Sequence, residues 1–333
     1  MRIGLMGAGS VADFGHAPAI RAVDGLELAA VYDPTPGKAA TFAKNHSSPL
    51  GTDDLAAFFA AGFDAVTIAS PAGAHLQNVV DCAKHRLPVL CEKPIAMDDA
   101  EAVKLVTHMA SADLPLMIGF VYRFSPVASQ IRDWIMEGKI GEVRSLRLIY
   151  DWGLHGRYAP NAAGVWGENP VWQGRMQEGG PMVDCGVHFI DLARWWLDSE
   201  VVRQSVAAAW VADYEAPDHV YAHLDHANGV HTMVEMSFSY GHTVREPAPQ
   251  FSYDIIGTGG TIRYDRSTWR LELRDGDGVV VGPSASEKGF HEMYRAWGNA
   301  LRTGDFSEIP TGEDGLRATH IARSLTNEAI ARR

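Results

Sequence analysis

Six residues near the start of the chain, Gly7-Ala8-Gly9-Ser10-Val11-Ala12, come directly after the strand-forming run Arg2 to Met6 and directly before a stretch with helical periodicity. A strand, a GxGxxA turn and a helix in that order leave few folds open. The first glycine permits a tight turn, the second lets backbone approach a bulky anion, and the small Ala12 allows helix and strand to pack closely. Ser10 and Val11 then open a helix whose first N–H groups have no partner of their own and point at the same place. Asp33 ends the second strand, 24 residues after Gly9, where a carboxylate can accept hydrogen bonds from both ribose hydroxyls of an adenosine. An ordinary βα turn followed by a solvent-facing acid is the plainer alternative, but the two features together predict a dinucleotide site. A carboxylate at Asp33 repels a 2'-phosphate, and no arginine follows in Pro34-Thr35-Pro36-Gly37, so NAD is expected over NADP; Lys38 leaves use of both open.

From Met1 to about Val121, short β-rich runs alternate with amphipathic segments of helical length, as βαβ units around a parallel sheet require. The expected strands are Arg2 to Met6, Leu26 to Tyr32, Ala65 to Ala69, Val89 to Glu92 and Leu116 to Phe120. Asp98 with Glu101 three residues on, and Ser125 followed by Pro126, read as helix starts. Beyond Gly141 strand-like runs follow one another with turn signals such as Ala227-Asn228-Gly229 between them, which predicts a largely antiparallel sheet closed by two helices near the C-terminus. At about 150 residues per domain, 333 residues suggest two domains. They are expected at 1–121, a doubly wound parallel Rossmann sheet, and at 122–333, an α/β domain with a large, mostly antiparallel open sheet.

Several classes of function are disfavoured. The 29 basic and 41 acidic side chains give a net charge of −12 spread over both halves, which repels phosphate and argues against a nucleic-acid partner. The longest uncharged stretch, Ala65 to Val80, has 16 residues and includes Pro71, His75, Gln77 and Asn78, whereas a membrane span needs roughly 20 mostly apolar residues. Glycines interrupt the apolar run after Arg2, so a signal peptide is not expected there. Cys82, Cys91 and Cys185 are odd in number and lack metal spacing; a reducing cytoplasm fits them, and no metal is expected.

Three further groups bear on chemistry. Glu92-Lys93-Pro94 lies at the carboxyl end of a strand, where open α/β sheets bind ligands; Pro94 holds Lys93 extended, a cis bond being one way to do so. The Lys93 ammonium could stabilise charge developing on a substrate oxygen, or merely snorkel from the strand end beside Glu92. After Gly179-Gly180, Asp184, His188 and Asp191 fall at i, i+4 and i+7 of a helix. His188 alone reads more readily as a core histidine; with Asp184 one turn away the two resemble a base oriented by a carboxylate. His155, Asp184 and His188 have a spacing that permits a divalent metal without demanding one, and Cys185 reads as a small buried hydrophobe, not a nucleophile. Between Asp151 and Gly180 nearly thirty residues show little periodicity yet hold Trp152, His155, Arg157, Tyr158, Trp166 and Trp172. Such a loop is a lid or binding loop, or packs against a neighbouring subunit; both readings stand.

Taken together, GxGxxA at Gly7, Glu92-Lys93-Pro94, Gly119 to Pro126, Gly179 to Asp191 and the Gly257-Thr258-Gly259-Gly260-Thr261 turn resemble the glucose-fructose oxidoreductase and inositol dehydrogenase (Gfo/Idh/MocA) family over nearly the whole chain. The resemblance implies NAD(P)-dependent hydride transfer between nicotinamide and a secondary alcohol or ketone of a sugar, cyclitol or related polyol, and a homodimer or homotetramer built on the open sheet. It implies Lys93, Asp184 and His188 as the catalytic set. Gly7, Gly9, Ser10, Val11, Asp33, Glu92, Lys93 and the segment Ser70-Pro71 to His75 are expected on the cofactor, and Tyr122, Arg123 and the aromatic loop on the substrate. Val121 stands where family members often carry Asn. Two other readings keep the fold: an NAD-dependent glycosidase that oxidises its sugar transiently, and a non-catalytic dinucleotide-binding regulator, against which the joint presence of Lys93, Asp184 and His188 speaks.

Overall fold

The protein is seen in a computed structural model that describes residues 1–152, 158–168, 171–211, 213–239, 248–284 and 288–333. The chain divides into two units, one formed by Met1–Phe124 with Lys288–Thr319 and the other by Ser125–Glu287 with His320–Arg333.

In the first unit, β1 (Arg2–Met6), β2 (Glu27–Tyr32), β3 (Gly51–Thr52), β4 (Ala65–Ile68), β5 (Val89–Cys91) and β6 (Leu116–Ile118) form a parallel sheet in the order β3-β2-β1-β4-β5-β6. Strands β1 and β4 are buried along nearly their whole length, as a parallel sheet covered on both faces demands. The order reverses between β2 and β4, on either side of β1, and ligands of such sheets bind at that switch point. The helices are α1 (Ala17–Ala22), α2 (Lys38–Asn45), α3 (Leu55–Ala60), α4 (Ala72–Lys84) and α5 (Asp99–Ser111). The Asp98 side chain accepts the Glu101 N–H at 2.8 Å, capping α5 as its sequence foretold.

A π-helical turn, Ala12–His16, precedes α1. Pro18 lacks the N–H that an α-helical bond to Phe14 requires, and the wider turn ahead of it accommodates that loss.

The second unit opens with α6 (Pro126–Met136), capped by Ser125, whose hydroxyl accepts the Ala128 N–H at 3.0 Å. Its sheet holds β7 (Val143–Asp151), β10 (Val201–Ala209), β11 (His219–His226), β12 (His231–Ser237), β13 (Gln250–Gly257), β14 (Gly260–Asp265), β15 (Arg270–Asp275) and β16 (Gly278–Val281). The order is β10-β11-β12-β7-β13-β14-β15-β16, antiparallel throughout except for β12 beside β7. Burial alternates along β11 and β12, so one face is packed and the other is open. On the packed side α8 (Val187–Leu197) lies against the sheet, with the Phe189 ring 5.7 Å from Tyr150 and 5.3 Å from Tyr253. The Trp196 indole N–H donates to the Ala128 carbonyl at 2.9 Å, tying α8 to α6.

Three expectations are corrected. Strands β14 and β16 were not anticipated: β14 follows directly on the Gly257 to Thr261 turn and buries only Ile262 and Tyr264, and β16 is exposed along its length. The segment expected to be irregular contains a two-stranded ribbon, β8 (Tyr158–Pro160) with β9 (Trp166–Glu168), and α7 (Val171–Gln177). The ribbon forms because Asn161 closes its turn, its side-chain oxygen accepting the Ala163 and Val165 N–H groups at 2.9 and 3.0 Å, with Gly164 at φ +75°. Finally, the helix expected after Gly180 begins as a second π-helical turn, Met182–Gly186, before α8.

Past β16, α9 (Phe290–Thr303) belongs to the first unit, and α10 (Gly312–Ala331) carries the division at Thr319. Within the first unit the Phe290 ring occupies the space that a side chain at Gly15 would need.

Candidate active site

The cofactor half lies at the β1 end of the parallel sheet. Gly7 has φ +99°, and a Cβ there would run into the backbone of Ala69 and Ser70 on the neighbouring strand end, so only glycine makes the turn. At Gly9 the situation differs: a Cβ would meet nothing within 4 Å, and that open space at a helix start is what a pyrophosphate needs. Asp33, 5% exposed, stands at the end of β2 and accepts the Ala8 N–H and the Thr35 N–H, each at 3.0 Å. Its other neighbour is the Lys38 ammonium at 2.8 Å. Burial alone would raise the Asp33 carboxyl, but Lys38 and the two backbone donors overcome it and hold it at about 2. The group is therefore ionised at neutral pH and fit to receive ribose hydroxyls. The open cradle at Gly9 and this carboxylate suit NAD, and Lys38, engaged with Asp33, is spoken for as a partner of a 2'-phosphate.

Lys93 follows β5 and is half-buried, and its bond to Pro94 is cis. Beneath it lies a buried polar chain that sequence reading missed. The Thr67 hydroxyl meets Tyr294 Oη at 2.9 Å, Tyr294 Oη meets His16 Nδ1 at 2.8 Å, and His16 Nε2 meets Glu92 Oε1 at 3.0 Å. Glu92 Oε2 in turn accepts the Lys93 backbone N–H at 3.2 Å. Burial would raise the Glu92 carboxyl, yet the His16 hydrogen bond and the charge of Lys93 bring it below the usual range. Both Glu92 oxygens thus have protein partners, and one of them holds the Lys93 peptide. No periodicity could signal this, since His16 and Tyr294 are 278 residues apart.

His75 sits similarly. Its ring is 1% exposed and lies between the Ser70 carbonyl (2.8 Å) and the Ile95 carbonyl (3.2 Å), and burial lowers its proton affinity. It braces the Ser70-Pro71 turn against the loop that follows Pro94, while Ser70, half-buried, and Pro71, exposed, stand at the surface of that turn. Tyr122 is 2% exposed in a 3-10 turn, and the Arg123 guanidinium pairs with Asp314 at 3.3 Å. Tyr122 is thus buried and Arg123 engaged by an acid within the first unit.

In the second unit Asp184 occupies the middle of the π-helical turn and His188 the first turn of α8; they are 5% and 6% exposed. Asp191 is fully buried one turn on. The Asp184 carboxylate receives the Arg175 guanidinium from α7 and lies 3.7 Å from Cys185 Sγ. Burial opposes the charge on Arg175, but Asp184 more than restores it. Arg175 is thus a functional candidate that sequence reading missed, hidden in a segment without periodicity. Trp152 stacks on Tyr150 at 5.2 Å, and Trp166 is half-buried in β9. Tyr158 lies in β8 and Trp172 in α7; His155 and Arg157 fall outside the described residues.

Comparison with known proteins bears on both units. Residues 1–120 match the model of the oxidoreductase family with an NAD-binding Rossmann fold, and residues 128–263 match that of the GFO/IDH/MocA C-terminal domain. The rhizopine catabolism protein MocA of Rhizobium meliloti is 30% identical over 98% of this chain and 94% of its own. Inositol 2-dehydrogenase of Rhizobium meliloti (strain 1021) is 28% identical over 100% and 98%, and D-apiose dehydrogenase of Rhizobium rhizogenes 28% identical over 83% and 76%. Among solved structures, an oxidoreductase from Agrobacterium radiobacter in complex with NAD+, L-tartaric acid and magnesium superposes with a TM-score of 0.84 at 24% identity, covering 100% of this chain and 97% of that one. Glycine turn, strand-end carboxylate, sheet order and these matches converge: the chain belongs to the GFO/IDH/MocA family of NAD-binding oxidoreductases.

Proposed function

We propose that this protein oxidises a secondary alcohol of a sugar, cyclitol or related polyol, reversibly, with NAD as the preferred coenzyme. The observation that carries the reading is the pairing of an NAD-type carboxylate at Asp33 with a buried histidine on α8, in a chain whose curated relatives include inositol 2-dehydrogenases and a D-apiose dehydrogenase. NAD, when bound, supplies the acceptor for hydride. His188 takes the hydroxyl proton, and the low exposure of the imidazole keeps water from competing for it. Lys93 hydrogen-bonds the same oxygen and stabilises the negative charge it gains. Asp184, held by Arg175, fixes the field in which the imidazole works. Trp152 and Trp166 offer flat apolar faces to sugar C–H groups.

The same reading places the protein in the cytoplasm, in keeping with three buried cysteines that form no disulfide. Among the described residues no helix is long and apolar enough to cross a membrane. It further makes the protein a homodimer or homotetramer joined through the open face of the eight-stranded sheet, where Tyr221 and Ile256 are exposed at 37% and 51%. The direct test follows nicotinamide absorbance with purified protein against inositols, pentoses, hexoses and their keto forms. NADH formed in step with ketone product is the expected result. Aglycone release from a glycoside with no net NADH would instead indicate the oxidation-elimination route, and silence across the panel would remove the dehydrogenase reading.

A further inference from the structure

On the same open face of the eight-stranded sheet that is proposed above to join subunits, three side chains from three strands converge. Asp151 ends β7, His219 begins β11 and Glu235 lies in β12; one donor atom from each lies within 4.8 Å of the others. The register explains the meeting. Asp151 and His219 are both paired with Ser237 on β12, one from each side, and Glu235 precedes Ser237 by two residues, so all three share a face. The small Ser237 between them leaves room for the longer side chains to lean together.

The cluster is more than a patch of acids. Asp151 is 1% exposed, and its Oδ1 is buried without a hydrogen-bond partner among the described residues. A buried carboxylate oxygen left so is costly, and such groups are found paired or on metals. His219 Nε2 lies 3.2 Å from Glu235 Oε1, close to the separation of two donors that each stand about 2.0–2.2 Å from one tetrahedral ion. In the single chain the His219 and Glu235 side chains keep 12% and 14% of their surface, so the cluster is reached from their side. Arg147 shares the face and is the nearest rival cation for Asp151, but its side chain is exposed.

We propose that Asp151, His219 and Glu235 bind one divalent cation of the zinc class, with solvent completing its shell. One imidazole and two carboxylates suit zinc, and manganese less well; magnesium, which favours oxygen alone, is the weakest fit. The site is separate from the hydride-transfer chemistry proposed above and its fate does not depend on it.

Calorimetric titration of the chelator-treated full chain with zinc, manganese and magnesium chlorides tests this. Expected is one saturable zinc site per chain, with magnesium weakest. His219→Ala and Asp151→Asn should each weaken zinc about 10- to 100-fold, at least the loss that outer partners of metal sites cause. The exposed pair His223 and His231, ring nitrogens 3.2 Å apart on the same sheet, is the alternative holder, so His223→Ala should leave affinity unchanged. Loss of binding in His223→Ala, indifference to His219→Ala, preference for magnesium, or no saturable zinc binding would each overturn the proposal. Because Asp151→Asn is buried and can disturb folding, His219→Gln with an unchanged melting point serves as the second variant.

Discussion

Two short stretches of this chain, far apart in sequence, use the same local device. Ala12–His16 and Met182–Gly186 are both π-helical turns, and each runs directly into an α-helix. Each contains a glycine with no room for a side chain, Gly15 beneath Phe290 and Gly186 against Met182. Each delivers one buried polar side chain, His16 in the first and Asp184 in the second. They differ in how that side chain is held. His16 is fixed at both ring nitrogens by Tyr294 and Glu92, a phenol and a carboxylate in a sealed interior. Asp184 is held by Arg175, a guanidinium whose side chain keeps 31% of its surface, on a short helix beside the aromatic segment. A widened helical turn re-aims one residue without ending the helix, and such turns recur at functional sites. On the proposed function, the first would brace the cofactor half and the second would arm the substrate half.

If that division is right, substitutions should separate cleanly. His188→Ala should lower kcat/KM about 10³-fold with NADH affinity unchanged, and Lys93→Ala should lower kcat by about 10²- to 10³-fold, both read by steady-state rates beside fluorescence titration of NADH. A His188→Ala enzyme that lost coenzyme binding as well would dissolve the distinction between the halves.

Next in size is the contrast between the two braces. His16→Ala strands Glu92 in the interior and should cost about 3 kcal/mol of stability, whereas Arg175→Met, at a partly exposed pair, should cost about 1 kcal/mol and act mainly on turnover. Urea unfolding midpoints measured beside rates would show which of the two is architecture. Equal costs would mean that the second turn is as structural as the first.

Asp33→Ser bears on the cofactor half alone. It frees Lys38 for a 2'-phosphate and should move the ratio of kcat/KM for NAD over NADP about tenfold toward NADP. The smallest effect is with pH. The Asp33 carboxyl is depressed from 3.8 to about 2 in the folded chain, so the stability it contributes is present above pH 3.8 and lost as pH falls through about 2. With Lys38 largely in solvent, the loss should be about 1–2 kcal/mol, seen as an acid-unfolding curve that Asp33→Asn flattens.

Much of the cofactor half was legible because its signals are local. Gly7, Gly9 and Asp33 act through backbone conformation and strand ends, and Asp98 and Ser125 cap helices within three residues of themselves. The resemblance to a family rested on such short motifs. What could not be read depends on distance or on register. His16, Glu92 and Tyr294 come together from the first strand crossover, the fifth strand and α9, and the hydrophobic pattern of each segment is satisfied without the others. A π-helical turn keeps the apolar spacing of an α-helix closely enough that Met182–Gly186 reads as one continuous helix with α8. Arg175 was overlooked because the stretch around it shows tryptophans and glycines and no period. The Asp151, His219 and Glu235 cluster exists only through strand register, which pairs residues from positions 68 and 84 places apart.

The return of α9 to the first unit has a consequence for how a ribosome delivers this molecule. Residues 1–124 emerge with Thr67 and His16 already committed to the interior, but the phenol that joins them, Tyr294, leaves the exit tunnel only after residues 125–287 have been made. At elongation speeds of about 5–20 residues per second, the nascent nucleotide-binding half waits on the order of ten seconds or more for its last piece. Truncation before Phe290 should therefore yield not a smaller working module but a fragment that chaperones retain.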